Sequence, residues 1–204
     1  MKTKNSALRN PGRPREFDSE KVLDAAIQQF TLQGYHGSSI SSLSQATSLT
    51  AGSLYKAYTD KRGLFNAALQ RYVSVNNQRL EQQLASVDSG LAGIRLLLNH
   101  YLNRSSGESG RIGCLVVSTA NELAATDPQI ATVVAELMER YRQRFLRCLQ
   151  QGIRDGSINA SLDAERSASL LLAMTQGIRV LGKSGLSPQV AAQIEQSAIE
   201  LLKP

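Results

Sequence analysis

Residues 50–61, TAGSLYKAYTDK, bring hydroxyl, phenol and ammonium groups together in one short stretch. Hydroxyl and phenol groups donate hydrogen bonds, and Lys56 and Lys61 add positive charge, so the stretch suits contact with an anion such as phosphate. Thr50 is a good N-cap, which predicts that a helix begins there. The stretch has few large aliphatic side chains, so other helices must supply the core that positions it.

Patterns for catalysis or metal binding are absent from the sequence. The chain has two cysteines, Cys114 and Cys148, and two histidines, His36 and His100. They form no CxxC motif and no cluster with zinc spacing, and no nucleophile motif or glycine-rich phosphate loop occurs. We therefore expect no enzyme activity, no metal and no cofactor. Both thiols are expected to be reduced.

Positive charge is concentrated at the start of the chain. The 204 residues carry a net charge of +6, and residues 1–15 have five basic and no acidic side chains. Pro11, Gly12 and Pro14 do not continue helices, so 1–15 is predicted to be a flexible basic arm. Such an arm usually contacts nucleic acid, and the alternative is a solubilising tail. No apolar run approaches the roughly 18 residues of a membrane span, so we expect a cytoplasmic protein without membrane contact.

The composition and periodicity predict an all-α fold of about nine helices. The chain is 42% hydrophobic, only 5% aromatic and free of Trp, which favours helices over a β-sandwich or barrel. Gly34 is the expected C′ residue of the first helix. The run SSGESG at 105–110 is expected to be a loop. Helices are expected to begin at Asp18, Ser38, Thr50 and Asp60 and to continue over 89–105, 112–125, 127–154, 163–182 and 187–202.

The second and third of these helices are short and are separated by a tight turn. This arrangement is typical of a helix-turn-helix. It predicts a DNA-binding domain over 16–62.

Residues 12–65 resemble the DNA-binding domain of the TetR (tetracycline repressor-like) family of bacterial transcription regulators. The similar pieces are the GRPR arm, AAIQQFTLQGYHGSSI and GSLYKAYTDKRGLF. Nine helices also fit the fold of that family, and the resemblance implies a helical ligand-binding and dimerisation domain over 63–204. The chain departs from the family pattern at Ser48, where Gly is frequent, at Ala57-Tyr58, where Tyr-Phe is frequent, and at Gly63, where Glu is frequent. These departures are expected to affect local stability more than the fold.

Contacts to DNA are expected from the arm, the start of the second helix, the recognition helix and the first turn of the fourth helix. Residues at the start of a recognition helix face the major groove, and Lys56 can reach a guanine edge or a phosphate. The resemblance implies phosphate contacts for Ser38, Ser39, Tyr55 and Lys61. The alternatives are core packing for Tyr55, N-capping alone for Ser38 and a solvated charge for Lys61. The complete expected set is Arg13, Arg15, Ser38, Ser39, Thr50, Ala51, Gly52, Ser53, Tyr55, Lys56 and Lys61.

The resemblance also implies an effector pocket among the fourth to eighth helices. Polar side chains on apolar stretches are the candidates for its lining. Cys114 is either an inert buried thiol or, if a nearby group lowers its pKa, a sensor of electrophiles or oxidants. The candidate residues are His100, Tyr101, Cys114, Asn121, Tyr141, Arg142 and Met174.

The resemblance places dimerisation on the last two helices. Their small and apolar residues suit a four-helix bundle formed by two chains, and packing within one chain is the alternative. The candidates are Leu171, Leu172, Thr175, Ile178, Ile194, Ala198 and Leu201.

These features predict a transcription regulator that binds a palindromic operator as a homodimer. The expected mode is repression that a small molecule or an electrophile relieves. The alternative is a helical adaptor that binds nucleic acid or membrane without sequence preference. Tight binding to one palindromic DNA sequence, with weak binding elsewhere, would distinguish the regulator from the adaptor.

Overall fold

The computed structural model describes residues 18–204, so Arg13, Arg15 and the rest of the expected arm lie outside the described residues. The all-α fold is confirmed. In the described part, the only β pairing is an isolated bridge between Ser106 and Leu186. The helices are α1 (Ser19–Gly37), α2 (Ile40–Thr47), α3 (Ala51–Tyr58), α4 (Lys61–Leu84), α5 (Gly90–Asn103), α6 (Gly107–Ile112), α7 (Leu115–Leu123), α8 (Pro128–Asp155), α9 (Ala164–Lys183) and α10 (Pro188–Glu200).

Side-chain caps begin most of these helices where the sequence predicts them. The Asp18 carboxylate accepts from the N–H groups of Glu20 and Lys21 at the start of α1. Thr50 caps α3, and Asp127 caps α8 with Pro128 at its first position. Each cap satisfies a backbone donor that a helix terminus leaves without a partner. These positions are therefore set by local sequence.

Helix α6 is the additional helix relative to the prediction, because residues 105–110 were expected to be a loop. Gly110 is buried in it, and a Cβ at this position would collide with the Ser105 carbonyl oxygen. The segment is folded against α9, since Gly182 lies beside the same carbonyl. Packing between distant segments thus overrides a composition that favours a loop.

The turn between α2 and α3 places Ser48 in the left-handed region, at φ 56° and ψ 27°. This conformation costs a residue with a Cβ about 1 kcal/mol relative to glycine. We expect Ser48→Gly to raise the free energy of unfolding by about 0.5–1 kcal/mol. Thermal denaturation measures the effect. Ser41→Gly is the control, because Ser41 is exposed inside α2, and the same change there should destabilise by a similar amount. A destabilising effect at Ser48 would contradict the prediction.

Gly63, a departure from the family pattern, is required by its surroundings. A Cβ on Gly63 would collide with the Tyr58 carbonyl oxygen, and the Gly63 N–H donates to the Asp60 carboxylate at 2.7 Å. The chain turns sharply here, with Thr59 at φ 71°. A glutamate at position 63 is therefore incompatible with this turn.

Two large clusters of buried side chains form the core. The first joins α1–α4 to α7 and α8, with Phe30, Leu54 and Phe65 packed in one cluster with Leu115 and Leu137. The second lies among α4, α5, α8, α9 and α10. The division expected at residues 62 and 63 stays a prediction, and the first cluster crosses it. The α1–α3 unit therefore shares its core with the rest of the chain.

Within residues 18–204, no helix is both long and apolar enough to cross a membrane. The same residues contain no group of three or more His, Cys, Asp or Glu side chains placed to hold a metal ion.

Candidate nucleic-acid interface and effector cavity

Helix α3 presents a polar face to solvent. Leu54 is only 2% exposed and fixes the helix to the core beside Phe30 and Phe65. The Thr50 hydroxyl accepts from the Ser53 N–H at 3.1 Å, and Ser53 is partly buried. The exposed residues among the predicted DNA contacts here are Thr50, Ala51, Gly52, Tyr55 and Lys56. Five of the six α3 residues predicted to contact DNA are thus accessible together.

Tyr55 is 47% exposed, so its ring is not part of the core. Its phenol therefore remains available to an external acceptor, such as a phosphate oxygen.

Ser38 and Ser39 have different roles, although the sequence predicts phosphate contacts for both. Ser39 is exposed and caps α2, where its hydroxyl accepts from the Ser42 N–H at 3.0 Å. Ser38 is 0% exposed, and its hydroxyl donates to the Gly34 carbonyl at 2.7 Å. The expected contact of Ser38 with DNA is therefore corrected, because the Gly34 turn places this side chain in the interior. Its expected capping role is also wrong, because Ser39 occupies the N-cap position.

Lys61 holds the end of α1 against the start of α4. Its Nζ donates to the carbonyl oxygens of Tyr35 and Ser38, each at 3.0 Å, and lies 4.4 Å from the centre of the Tyr35 ring. An ammonium group has three donors, so one remains for a phosphate. Its phosphate contact stays a prediction, and its structural contacts were not expected from the sequence.

Glu122 on α7 is a contact that sequence reasoning missed. Its carboxylate accepts from the N–H of Tyr35 at 2.7 Å and from the N–H of His36 at 2.6 Å. The residues are 86 and 87 positions apart, and no spacing rule joins positions so distant. The only local signal is Gly34, whose φ of 75° leaves the following N–H groups outside the regular helix.

A cavity of about 40 Å³ lies among α4, α5, α7, α8 and α9. Its lining includes four of the predicted pocket residues, which are His100, Tyr101, Cys114 and Tyr141. Tyr72 from α4 also lines it, and its hydroxyl donates to the Cys114 sulfur at 3.6 Å. An adjoining cavity of about 210 Å³ shares Tyr72 with it and reaches the surface of α1 at Ile27. Four of the predicted residues thus line one cavity, and their role in binding an effector stays a prediction.

The charged side chains that line the smaller cavity are all arginines, namely Arg104, Arg144 and Arg179. Arg144 is neutralised by Glu81, since its Nε lies 2.7 Å from a carboxylate oxygen. Arg179 donates to the carbonyls of Arg104 and Gly113, which carry no full charge. No ion pair involves Arg104 in the described part of the chain, and its guanidinium lies 5.9 Å from the centre of the Tyr72 ring. The cavity is therefore positively charged.

This environment also changes the pKa values of the lining groups. Burial, with help from the charge of Arg104, lowers the pKa of His100 to about 4, so the imidazole is neutral at pH 7. Burial raises the pKa of Tyr72 to about 12. At Cys114 burial also raises the pKa, but Arg179, the Val117 N–H and the Tyr72 hydroxyl outweigh it, and the net pKa is lowered. Cys114 thus has more thiolate than an ordinary cysteine.

Three predicted pocket residues lie elsewhere. Asn121 is on the exposed face of α7. Arg142 follows Tyr141 on α8, so it points about 100° away from it and pairs with Glu139 and Glu165 at 2.7 and 2.6 Å. Met174 lines a groove between α9 and α10. Their expected place in the pocket is corrected, because helix geometry directs them to other faces.

The predicted dimer residues divide between the interior and the surface. Leu171, Thr175, Ile178 and Ala198 are at most 5% exposed within a single chain, so they pack internally. Leu172 and Ile194 are partly buried, and Leu201 is 72% exposed. The exposed large apolar residues on α9 and α10 are Leu170, Val180, Leu181, Val190 and Leu201. Of these, Leu181, Val190 and Leu201 line one groove between α9 and α10, and we call these three residues the apolar face.

The helix-turn-helix with an exposed α3, followed by a larger set of helices, defines a class, that of DNA-binding transcription regulators. A family model for the "Tetracyclin repressor-like, C-terminal domain" matches residues 90–197, and one for "Bacterial regulatory proteins, tetR family" matches residues 22–68. The HTH-type transcriptional repressor ComR of Escherichia coli K12 is 30% identical over 198 residues, which are 93% of this chain and 91% of ComR. The chain therefore belongs to the TetR family, whose members are regulators and not enzymes.

Two further similarities concern a second repressor and a solved complex. The HTH-type transcriptional repressor DhaR of Mycobacterium sp. strain GP1 is 25% identical over 158 residues, which are 78% of each chain. A cysteine mutant of the TetR family transcriptional regulator CifR, complexed with 26-bp double-strand operator DNA, superposes with a TM-score of 0.82 and 26% identity. That alignment covers 94% of this chain and 100% of that chain.

Proposed function

We propose that this protein is a cytoplasmic repressor that binds a palindromic operator as a homodimer and is released by a small-molecule effector. The observation that carries the proposal is the exposed α3 face, where Ala51, Gly52, Tyr55 and Lys56 are accessible together while Leu54 is buried. ComR and DhaR are named repressors, and the CifR complex contains operator DNA, which supports the same function here.

The apolar face supports the homodimer. It borders a groove of about 410 Å³ between α9 and α10. Apolar surface of this kind is costly in water and is usually covered by another protein surface. A symmetric dimer covers it on both chains and presents two α3 helices to two half-sites about one DNA turn apart.

The positively charged cavity supports an effector that carries a hydrogen-bond acceptor or a negative charge. Gln176 lines the cavity, and its Nε2 is buried without a hydrogen-bond partner within the described residues. Buried donors are usually paired, so an acceptor on the effector would complete this site. The lowered pKa of Cys114 also favours an electrophile, which the thiolate would attack.

Helix α4 offers a mechanism for release. It begins at Lys61, beside the α1–α3 unit, and carries Tyr72 and Asn76 into the cavity. An effector that favours a different position of α4 would change the spacing of the two α3 helices. Operator affinity then falls by the ratio of the effector's affinities for the two states.

Selection of genomic DNA fragments by the purified protein, followed by sequencing, tests the proposal. We expect one palindromic sequence to be enriched, with binding that weakens steeply as salt rises. Enrichment of no sequence would contradict the proposal and favour an adaptor without sequence preference.

Lys56 is predicted to read a base rather than only to neutralise a phosphate. We expect Lys56→Ala to weaken binding to the preferred operator about tenfold and to relax base preference at one position. Binding to a set of operators with single base changes measures this. Lys203→Ala is the control, because Lys203 is also exposed and its loss removes the same charge far from α3. Equal losses on every sequence would show that Lys56 contacts the DNA backbone.

A further inference from the structure

The Glu122 carboxylate joins the effector domain to the backbone at the end of α1. Its two oxygens separately accept the N–H groups of Tyr35 and His36, at 2.7 and 2.6 Å. Hydrogen bonds to an ionised acceptor are roughly twice as strong as neutral ones. A side chain of α7 therefore satisfies two backbone donors that the chain exposes after Gly34 leaves the helical conformation.

These two donors lie in the segment that leads into α2. Within the same segment, the buried Ser38 hydroxyl donates to the Gly34 carbonyl, and Lys61 donates to the Tyr35 and Ser38 carbonyls. The next residue is Ser39, which caps α2. The position of α2, and of α3 packed beside it, thus depends on a short segment whose N–H groups are held from α7.

The opposite end of α7 reaches the cavity. Cys114 is the N-cap residue of α7 and lines the cavity beside Tyr72. Glu122 lies eight positions further along, which is about 12 Å along the helix axis. If α7 moves as a rigid body, a displacement at Cys114 also displaces the Glu122 carboxylate.

A second contact joins the segment after α7 to the first turn of α4. Asp127, which follows α7 and caps α8, forms an ion pair with Arg62 at 2.5 Å. Arg62 lies in the first turn of α4, next to Lys61. The segment from Glu122 to Asp127 thus contacts both the end of α1 and the start of α4.

We propose that Glu122 is a positioning residue that couples the state of the cavity to the placement of α2 and α3 on DNA. The proposal rests on the proposed function and assigns its regulation to α7, in addition to α4. A displaced α7 withdraws the carboxylate, the N–H groups of Tyr35 and His36 lose their acceptor, and the segment before α2 shifts. Glu122→Gln removes the coupling, since the glutamine amide nitrogen cannot accept a hydrogen bond.

The first measurement compares wild type, Glu122→Gln and Glu108→Gln on the selected operator. Glu108 is an exposed acid on α6 and makes no ion pair among the described residues, so Glu108→Gln should bind like wild type. Glu122→Gln should bind the operator about tenfold more weakly. Hydrogen exchange over residues 34–38 should be faster in Glu122→Gln alone. Unchanged affinity together with unchanged exchange would overturn the proposal.

The second measurement separates coupling from a merely structural role. Iodoacetate is expected to carboxymethylate Cys114, whose pKa is lowered, in preference to Cys148, whose pKa burial raises to about 11. Peptide mass mapping checks the modified site. The added carboxymethyl group occupies space in the small cavity and places a carboxylate beside its arginines, so we expect the lining to shift. We expect operator affinity to fall about tenfold or more in wild type and by less than about threefold in Glu122→Gln.

The outcomes distinguish this proposal from the proposed function. If carboxymethylation lowers operator affinity by the same factor in both proteins, the cavity acts through α4 alone and the role of Glu122 is overturned. If the wild-type protein selects an operator but carboxymethylation leaves its operator affinity unchanged, the cavity does not control DNA binding. That result would also overturn the coupling through Glu122. If no operator is selected at all, the proposed function itself fails.

Discussion

Replacing Leu201 with Glu is expected to convert the dimer to a monomer and to weaken operator binding by about 100-fold or more. Leu201 is 72% exposed at the end of α10 and belongs to the apolar face with Leu181 and Val190. In the proposed dimer each glutamate would be buried against an apolar surface, where an unpaired charge is strongly unfavourable. A monomer contacts one half-site and loses the gain that comes from linking two. Sedimentation and operator titration measure the two effects.

Leu32→Glu is the matched control for this change. Leu32 is 60% exposed on α1, far along the chain from α9 and α10, so the same substitution there should leave the dimer intact. A Leu201→Glu protein that remains dimeric at micromolar concentration would exclude the apolar face as the interface.

Gly90→Ala is expected to lower the free energy of unfolding strongly, because a methyl group has no room at this position. Gly90 begins α5, and a Cβ there would collide with the backbone nitrogen of Gly152 and the carbonyl oxygen of Cys148 on α8. Its N–H also donates to the Asp155 carboxylate at 2.8 Å. Because backbone atoms cannot move aside as a side chain can, α5 and α8 must separate. We expect the free energy of unfolding to fall by about 3 kcal/mol.

Thermal denaturation tests this loss, and about 3 kcal/mol corresponds to roughly 6–12 °C for a chain of this size. The matched control is Gly37→Ala, because a Cβ on Gly37 makes only an ordinary contact, 3.7 Å from the Gln33 Cβ. Its melting temperature should stay within about 2 °C of wild type. Equal melting temperatures for all three proteins would mean that α5 and α8 do not approach so closely.

Features set by local sequence are the ones that could be predicted. Thr50 and Asp127 are followed by helices because a hydroxyl or carboxylate satisfies the first free N–H groups whatever the rest of the chain does. The left-handed turn at Ser48 is likewise local. The exposed side of α3 follows from helical periodicity once Leu54 is assigned to the core.

Features that depend on distant segments could not be predicted. Serine is a residue type that often contacts phosphate, but the Gly34 turn directs the Ser38 side chain into the interior. Glu122 is an ordinary helical glutamate in the sequence, and its carboxylate meets the two N–H donors only after α1 and α7 pack. Asn121 and Arg142 are polar residues on helices that also carry apolar faces, and only the packing shows which face of each helix meets the cavity.

The core shared by α1–α4, α7 and α8 limits how this protein can be recombined with its relatives. A chimera joined at residue 62 would separate Phe30, Leu43 and Leu54 from the native Phe65, Leu115 and Leu123 that complete their packing. Exchanging DNA specificity by transplanting whole α1–α3 units therefore carries a cost in stability unless the facing residues of α4 and α7 are transplanted as well. Substitutions confined to the exposed face of α3 avoid that cost, because Thr50, Ala51 and Lys56 contribute nothing to the shared core. Such substitutions on α3 are therefore the best way to direct this protein to new operators.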